Sequence, residues 1–421
     1  MNRHFALLYA LFLAVLLSPV NAQILSASDV KELRGIVIDA TTQEPLVLAT
    51  VTLQNYNLST VTNSEGLFVL KVPVAQKEEF IQVSFLGYKT QHIPIYQFGN
   101  DPLRIDMQEA ATTLNEVNLV APRNPEFLVR EVLSKKDENY LDRFAKMTAF
   151  YRETIRKRRK NIALSEAVVT LFKSPYNQNR KDAVQLYKAR KNTDYSRLDT
   201  LTLKLQGGPF NALYQDLMKY QDYLFSEDYI GDYTFQYERD TRIDDRPITV
   251  IAFRQKPEIA EPLYQGRLYI DSKLKVLVSA VYSLNITNPE LASALLVKRK
   301  PAKARVFPKA VTYRVDYREK DGKWYYGYSN AILEFKVDWD RRLFNSVFSL
   351  TCEMAVTDWV FISEDQIPRT KDLIKSSVIL SDEADGFSDP DFWGAYNIIE
   401  PDKSIESAIR KIQRQLRQAQ E

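Results

Sequence analysis

Apolar and polar residues alternate along most of this chain with the period of two that a half-buried strand requires. Between residues 31 and 110 the alternation comes in short runs: LRGIVIDA (33–40), ATVTLQN (49–55), STVTN (59–63), LFVLKVP (67–73), FIQVSFLGY (80–88) and LRIDMQEA (103–110). Phe68, Leu70 and Val72 share one face of their run, and Ile81, Val83 and Phe85 share one face of theirs. Turn residues separate the runs at near-regular intervals, which is the pattern of a small β-sandwich. Beyond residue 125 the runs lengthen. MTAFYRETIRKRRKNIALSEAVVTLF (147–172) reads as two strands joined at a basic turn. YTFQYERD, ITVIAFRQ, GRLYIDSKLKVLVSAVYSLN, AVTYRVDYRE, KWYYGYSNAILEFKV and FNSVFSLTCEMAV continue the series. Within it Val311, Tyr313, Val315 and Tyr317 alternate with Thr312, Arg314, Asp316 and Arg318. Such a series predicts one large, curved antiparallel sheet, open to a half-barrel form, with a few helices laid on it.

Three segments depart from the strand period. PEFLVREVLSKKDENYL starts at Pro125 and places Phe127, Leu128, Val132 and Leu133 at helical spacing. NALYQDLMKYQDYLF (211–225) predicts an aromatic amphipathic helix. Near the end, Ile405, Ile409, Ile412 and Leu416 fall on one helical face, with Asp402 or Ser404 available as a cap. This last helix either docks on the protein's own sheet or meets a partner.

The 421 residues suit two or three domains. With 24 Tyr and 21 Phe against 12 Gly, the composition favours pleated surfaces. A net charge of +3 gives no field for nucleic acid. The first 22 residues read as a signal peptide: Arg3, the apolar core FALLYALFLAVLL, then SPVNA with Val20 and Ala22 where the peptidase reads, so cleavage is expected after Ala22. A membrane anchor is the other reading of that run, which is short for a bilayer span. No Cys follows the apolar core, which argues against a lipid-anchored lipoprotein. Cys352, the one cysteine, is expected as a buried small apolar side chain, and no disulfide forms within the chain.

An ordered string of motifs carries a resemblance. Gly35-Ile-Val-Ile-Asp39, Glu44-Pro45-Leu46, Ala49-Thr-Val-Thr-Leu53, Thr62-Asn63-Ser64-Glu65-Gly66-Leu-Phe68 and Val83-Ser84-Phe85-Leu86-Gly87-Tyr88 resemble the carboxypeptidase regulatory-like domain. That family implies a seven-stranded, prealbumin-like sandwich, with Gly35, Asp39, Pro45, Asn63, Gly66, Gly87 and Tyr88 as structural turn residues. Asn63 can satisfy backbone groups in its turn, and Gly66 can take a positive φ. The peptidase that accompanies such domains needs His and Glu ligands for zinc. This chain holds only His4, in the signal run, and His92, expected on an exposed strand, so carboxypeptidase activity is rejected. The join ATTLNEVNLVAPR (111–123) is similar to the opening of TonB-dependent transporters, but too few residues follow for a plug and barrel. A linker that pairs as one extra strand fits better. The hairpin GRLYIDSKLKVLVSAVYSLN resembles the repeat of lipoprotein-carrier half-barrels. The segments TAFYRETIRKRRKNIALSEAVV and FWGAYNIIEPDKSIESAIRKIQRQLRQ resemble an uncharacterised family of exported proteins that follow this domain. The expected fold is therefore mainly β or α+β: signal peptide (1–22), sandwich (31–110), linker (111–124), antiparallel α+β domain (125–400) and a terminal amphipathic helix (401–421).

Candidate chemistry is sparse. The run Arg156, Lys157, Arg158, Arg159, Lys160 at a hairpin turn is either a solvated tip or a contact for anionic lipid headgroups. Glu153 and Glu166 lie on opposite arms of that hairpin, and Glu166 shares a face with Ile162, Leu164, Val168 and Phe172. A carboxylate in that row needs a cation; Arg152 or Arg156 is placed to supply it, and Arg152–Glu166 is the candidate buried ion pair. SDEADGFSDPDFW (381–393) fails the calcium-loop spacing, with Ser381 and Glu383 for aspartates and Phe392 for the bidentate Glu. QGGPF (206–210) lacks the Lys-Ser/Thr ending of a phosphate loop. No catalytic, cofactor-binding or metal-binding residue is assigned and no cofactor is expected. The reading is a non-catalytic cell-envelope binding or structural protein, periplasmic or associated with the outer membrane, meeting an envelope protein or an apolar ligand and no nucleic acid. A lipid or lipoprotein carrier with a concave half-barrel and a carboxylate-dependent hydrolase are the alternatives.

Overall fold

The computed structural model of the chain describes residues 30–76, 79–110, 124–158, 160–193, 204–226, 228–243, 246–298, 300, 302–340, 345–384 and 392–401. The expected signal run with Ala22, the join 111–123, Arg159 and the tail helix with Ile405, Ile409, Ile412 and Leu416 lie outside the described residues. No helix among the described residues is long and apolar enough to cross a membrane.

Seven strands build the first unit as two facing sheets. In one, β1 (Val30–Asp39) lies between β4 (Leu67–Pro73) and a parallel β7 (Leu103–Met107). In the other, β3 (Ser59–Val61), β2 (Thr50–Leu53), β5 (Phe80–Ser84) and β6 (Gln91–Pro94) follow in that order. Alternate residues turn inward, so Phe68, Leu70, Val72, Ile81 and Val83 meet Leu33, Val37, Val51 and Leu53 in one core. His92 is exposed on β6.

Local bonds explain the turns. The Asn63 carboxamide oxygen accepts the N–H groups of Glu65 at 2.9 Å and Leu67 at 3.0 Å, holding the chain while it reverses. Gly66 sits there at φ +74°, and a Cβ on it would come within 2.5 Å of the Val37 carbonyl oxygen. Asp39 accepts the N–H groups of Thr41 at 2.6 Å and Thr42 at 2.8 Å, and the Tyr88 hydroxyl at 2.5 Å. Pro45 bridges to Ile38, and the Phe68 ring fills the space beside Gly35. Gly87, at φ +87°, donates its N–H to the Arg242 carbonyl at 2.7 Å, tying the sandwich to the second unit.

The second unit is a curved antiparallel sheet of eleven strands that does not close. β8 (Ala145–Lys157), β9 (Lys160–Lys173) and β10 (Ala183–Thr193) form one end. At the other, β11 (Tyr233–Tyr237) and the short β12 (Thr241–Ile243) both pair with β13 (Arg246–Gln255). Between them run β14 (Tyr264–Asp271), β15 (Val276–Leu284), β16 (Ala304–Lys320), β17 (Lys323–Trp339) and β18 (Ser346–Phe361). β18 returns to pair with β8 and so joins the meander to the first hairpins. On its outer face the sheet is covered by the sandwich and segment 392–401, through an apolar cluster of Phe150, Val168, Tyr328 and Ala355 with Val61, Trp393 and Ile399 and through hydrogen bonds. On the outer face the Ser59 hydroxyl donates to the Val356 carbonyl at 3.0 Å, Asn57 to that of Trp359 at 2.7 Å, and Thr60 to that of Ile398 at 2.9 Å.

Helices are few: α1 (Pro125–Ser134), α2 (Lys136–Asn139), α3 (Phe210–Leu213), α4 (Pro289–Leu296) and α5 (Leu380–Glu383). Asn124 caps α1 and Pro125 occupies its first turn. α1 buries Leu128, Val129 and Val132, whereas Phe127, expected on the apolar face, is 57% exposed. The helix expected over 211–225 is also corrected. Only α3 and a 3₁₀ turn at Gln221–Tyr223 form, because Asp216 between them is bonded to distant side chains and breaks the helical run.

Replacing Gly66 with Ala forces an L side chain into the left-handed region and against the Val37 carbonyl. Urea denaturation of G66A is expected to show a loss of roughly 2 kcal/mol.

Candidate functional site

Register decides which side chains share the inner face. Glu153, Cys352, Ala331, Tyr313 and Tyr282 stand side by side across β8, β18, β17, β16 and β15. Four of these strands, with β14, floor a cavity of about 970 Å³. Its walls are Tyr264, Tyr282, Tyr313, Leu333, Phe335 and Leu350, with Cys352 and Ala331 beneath. Tyr282 and Tyr313 stack at 5.1 Å, and Tyr264 meets Tyr282 edge-on at 5.6 Å. Tyr214, Tyr223 and Leu224 from the 204–225 segment and Leu295 and Leu296 of α4 close over it. Lys298 and Lys300 also line it, as does Lys204, whose ammonium is paired with Asp382 at 2.6 Å; among the described residues no carboxylate lines the cavity itself. An apolar interior bordered by cations suits a molecule with a long apolar part and an anionic end.

A buried charge cluster holds the roof in place. Lys173 Nζ lies 2.5 Å from Asp182 Oδ2 and 2.7 Å from Asp216 Oδ2, and all three side chains are buried. Asp216 also accepts the hydroxyls of Tyr176 at 2.8 Å and Tyr317 at 3.0 Å, and Asp182 that of Tyr220 at 2.8 Å. Burial pushes the Lys173 ammonium down, but Asp182 and Asp216 outweigh it and hold its pKa above the usual lysine range. Asp216 and Tyr220 belong to the roof segment, whereas Lys173, Tyr176 and Tyr317 belong to the sheet and its adjoining turn. The cluster is thus a clamp between floor and roof.

Arg152 and Glu166 face the opposite way. Arg152 Nε lies 2.8 Å from Glu166 Oε1, and Arg190 Nη2 lies 2.7 Å from the other oxygen. Burial pushes the Glu166 carboxyl up, yet the two guanidiniums outweigh it and hold its pKa below the usual range. Arg152 also reaches Glu353 at 3.2 Å and the Ile399 carbonyl at 2.7 Å, so the group ties segment 392–401 to the outer face. Glu153 is on the inner face, where it accepts the Tyr151 hydroxyl at 2.8 Å. The sheet therefore divides the two carboxylates of the hairpin. Burial pushes the Glu153 carboxyl up to about 7, partly offset by Tyr151. Burial, with Glu153 close by, pushes the Cys352 thiol up to about 12, so the thiol stays protonated at neutral pH.

Arg158 turns the β8–β9 hairpin at φ +55° and, like Lys160, is exposed; Arg156 and Lys157 are half-buried. Gly207 and Gly208 both take positive φ before α3. In the acidic run, Ser381 and Glu383 belong to α5, while 385–391 lie outside the described residues. Phe392 packs edge-on against Trp393 at 4.7 Å. No group of three metal-ligating side chains occurs among the described residues. Sequence reasoning missed Lys173, Asp182 and Asp216, which meet only through tertiary structure. It also passed over Lys298 and Lys300, although VKRKPAKARVFPK (297–309) holds several cations and no acid.

Residues 33–119 match the family model of the CarboxypepD_reg-like domain, so the chain carries a carboxypeptidase regulatory-like domain. No curated protein matches the chain. Among solved structures, a DUF1329 family protein from Desulfovibrio piger is similar at 11% identity and a TM-score of 0.24, over 58% of this chain and 95% of that one. A likeness at that score carries no argument about either fold or function.

The raised Glu153 carboxyl gives a pH prediction. Its folded pKa, about 7, exceeds the ordinary 4.5, so the folded state binds the extra proton between those values. Stability contributed by this group is present at low pH and is lost as pH rises through 7. Glu153→Gln keeps the acceptor for Tyr151 and removes the charge. In denaturant titrations it is expected to be more stable than wild type at pH 8 by about 1–3 kcal/mol, with the gain gone below the unfolded pKa of an ordinary glutamate.

Proposed function

We propose that the chain is an exported, non-catalytic binding protein of the cell envelope, periplasmic or associated with the outer membrane, that holds an elongated apolar molecule in the concave cavity. The observation that carries this is the cavity of about 970 Å³ walled by tyrosines and aliphatic side chains. That volume lies in the range of sites for lipid-sized and drug-sized ligands, roughly 300–1,000 Å³. The tyrosines offer large apolar surface with rigid rings, so a ligand is buried at little cost in side-chain entropy. Lys298 and Lys300 favour an anionic end such as a carboxylate or phosphate.

The carboxypeptidase regulatory-like domain serves as a platform in this reading. It bonds to the outer face through β3 and leaves the inner face to the ligand. Its own core is filled by aliphatic and aromatic side chains.

The reading is tested with a fluorescent long-chain fatty acid whose emission rises in an apolar site. The wild-type chain is expected to bind it and release it to unlabelled fatty acid. Ala331→Trp puts an indole into the cavity floor and is expected to weaken binding roughly tenfold or more. No binding by the wild type, or equal binding by the folded variant, would overturn the reading.

A further inference from the structure

One rim of the large sheet brings the cavity opening together with two basic runs that are far apart in sequence. The β8–β9 turn and the start of β16 meet there. Ile155 and Ile162, which flank the turn, pack in one cluster with Ala304 and Val306 of β16, and Leu296 and Val297 lie against it. Arg158 donates its N–H to Val347, which pairs with Lys336, which in turn pairs with Phe307. Three strand spacings thus separate the turn from β16, about 14 Å.

Exposed on this rim are Arg158, Lys160, Lys298, Lys300, Lys303 and Arg305. None of the six is ion-paired in the structure among the described residues. The acids nearby are Asp338, which pairs with Lys336 at 3.2 Å, Asp340, and Glu290 in the first turn of α4 beside Leu291. The rim also bears apolar surface. α4 buries Ala292 and turns Leu291 and Leu295 outward, 43% and 60% exposed and one helical turn apart. Leu295, Lys298 and Lys300 line the cavity as well, so the exposed apolar and basic surface continues into it.

We infer that this rim docks on an anionic lipid bilayer, with Leu291 and Leu295 entering the acyl boundary and the surrounding lysines and arginines meeting lipid phosphates. Exposed leucines beside several unpaired cations fit a surface that is apolar below and anionic above. The same charge without leucines would fit any polyanion. Passage of a ligand between bilayer and cavity rests on the binding reading above; docking itself does not.

Sedimentation of the full chain with vesicles tests this, using phosphatidylcholine alone and phosphatidylcholine mixed with phosphatidylglycerol. Binding is expected to favour the anionic vesicles and to fall as salt rises. Each basic residue near such a surface contributes roughly fivefold, so Lys298→Gln with Lys300→Gln and Lys303→Gln is expected to weaken binding roughly hundredfold. Leu291→Ser with Leu295→Ser is expected to weaken binding and leave its salt dependence. Equal binding to both vesicles, no loss in the folded triple variant, or equal binding of a DNA duplex at the same ionic strength would overturn docking. Charge-dependent vesicle binding supports docking even if the chain fails to take up the fatty-acid probe, so the two readings fail separately.

Discussion

Lys173 and its two carboxylates are the interaction on which the rest of the large unit depends. Residues 204–225 have little regular structure of their own and cross an apolar face that would otherwise be open. Asp216 binds Lys173, Tyr176 and Tyr317, and so fixes that crossing at one point. Loss of one partner from a buried pair costs roughly 3–5 kcal/mol, because the remaining charge has no water to solvate it. The segment is therefore held by a bond that fails as a unit. The cavity beyond it can stay unfilled by protein side chains while the roof remains in place.

The two faces of the sheet use charge differently. On the outer face, Arg152, Arg190, Glu166 and Glu353 form a nearly complete network that joins β8, β9, β10, β18 and segment 392–401. Asn397 extends this tie to the sandwich through both backbone groups of Lys71, at 2.7 and 3.1 Å. Matching of this kind specifies how parts fit together and adds little net stability. On the inner face the clamp is confined to one end, Glu153 is buried beside Tyr151, and the cavity is walled mainly by tyrosine and aliphatic side chains. The cavity and the face that carries the sandwich are thus separated by one layer of strands.

Much of this was legible from local pattern. Alternation in LFVLKVP and the Asn63–Gly66 turn identified the sandwich, because both depend on neighbours within a few residues. Arg152 opposite Glu166 could be read because a hairpin places them in register. Glu353 could not, since β18 reaches β8 only after the whole meander. The 211–225 helix failed for the same reason. Its apolar spacing was helical, but the bonds that decide its path come from Lys173, Tyr176 and Tyr317. The cavity needs the order of five strands and a roof, none of which periodicity specifies.

A crystal structure determined after incubation with a long-chain fatty acid tests the central claim most directly. Density for the chain along Tyr282, Tyr313 and Phe335, with its carboxylate at Lys298 or Lys300, is the expected result. A cavity closed by movement of Tyr214 and Tyr223 onto the strands, with no density for the fatty acid, would contradict it.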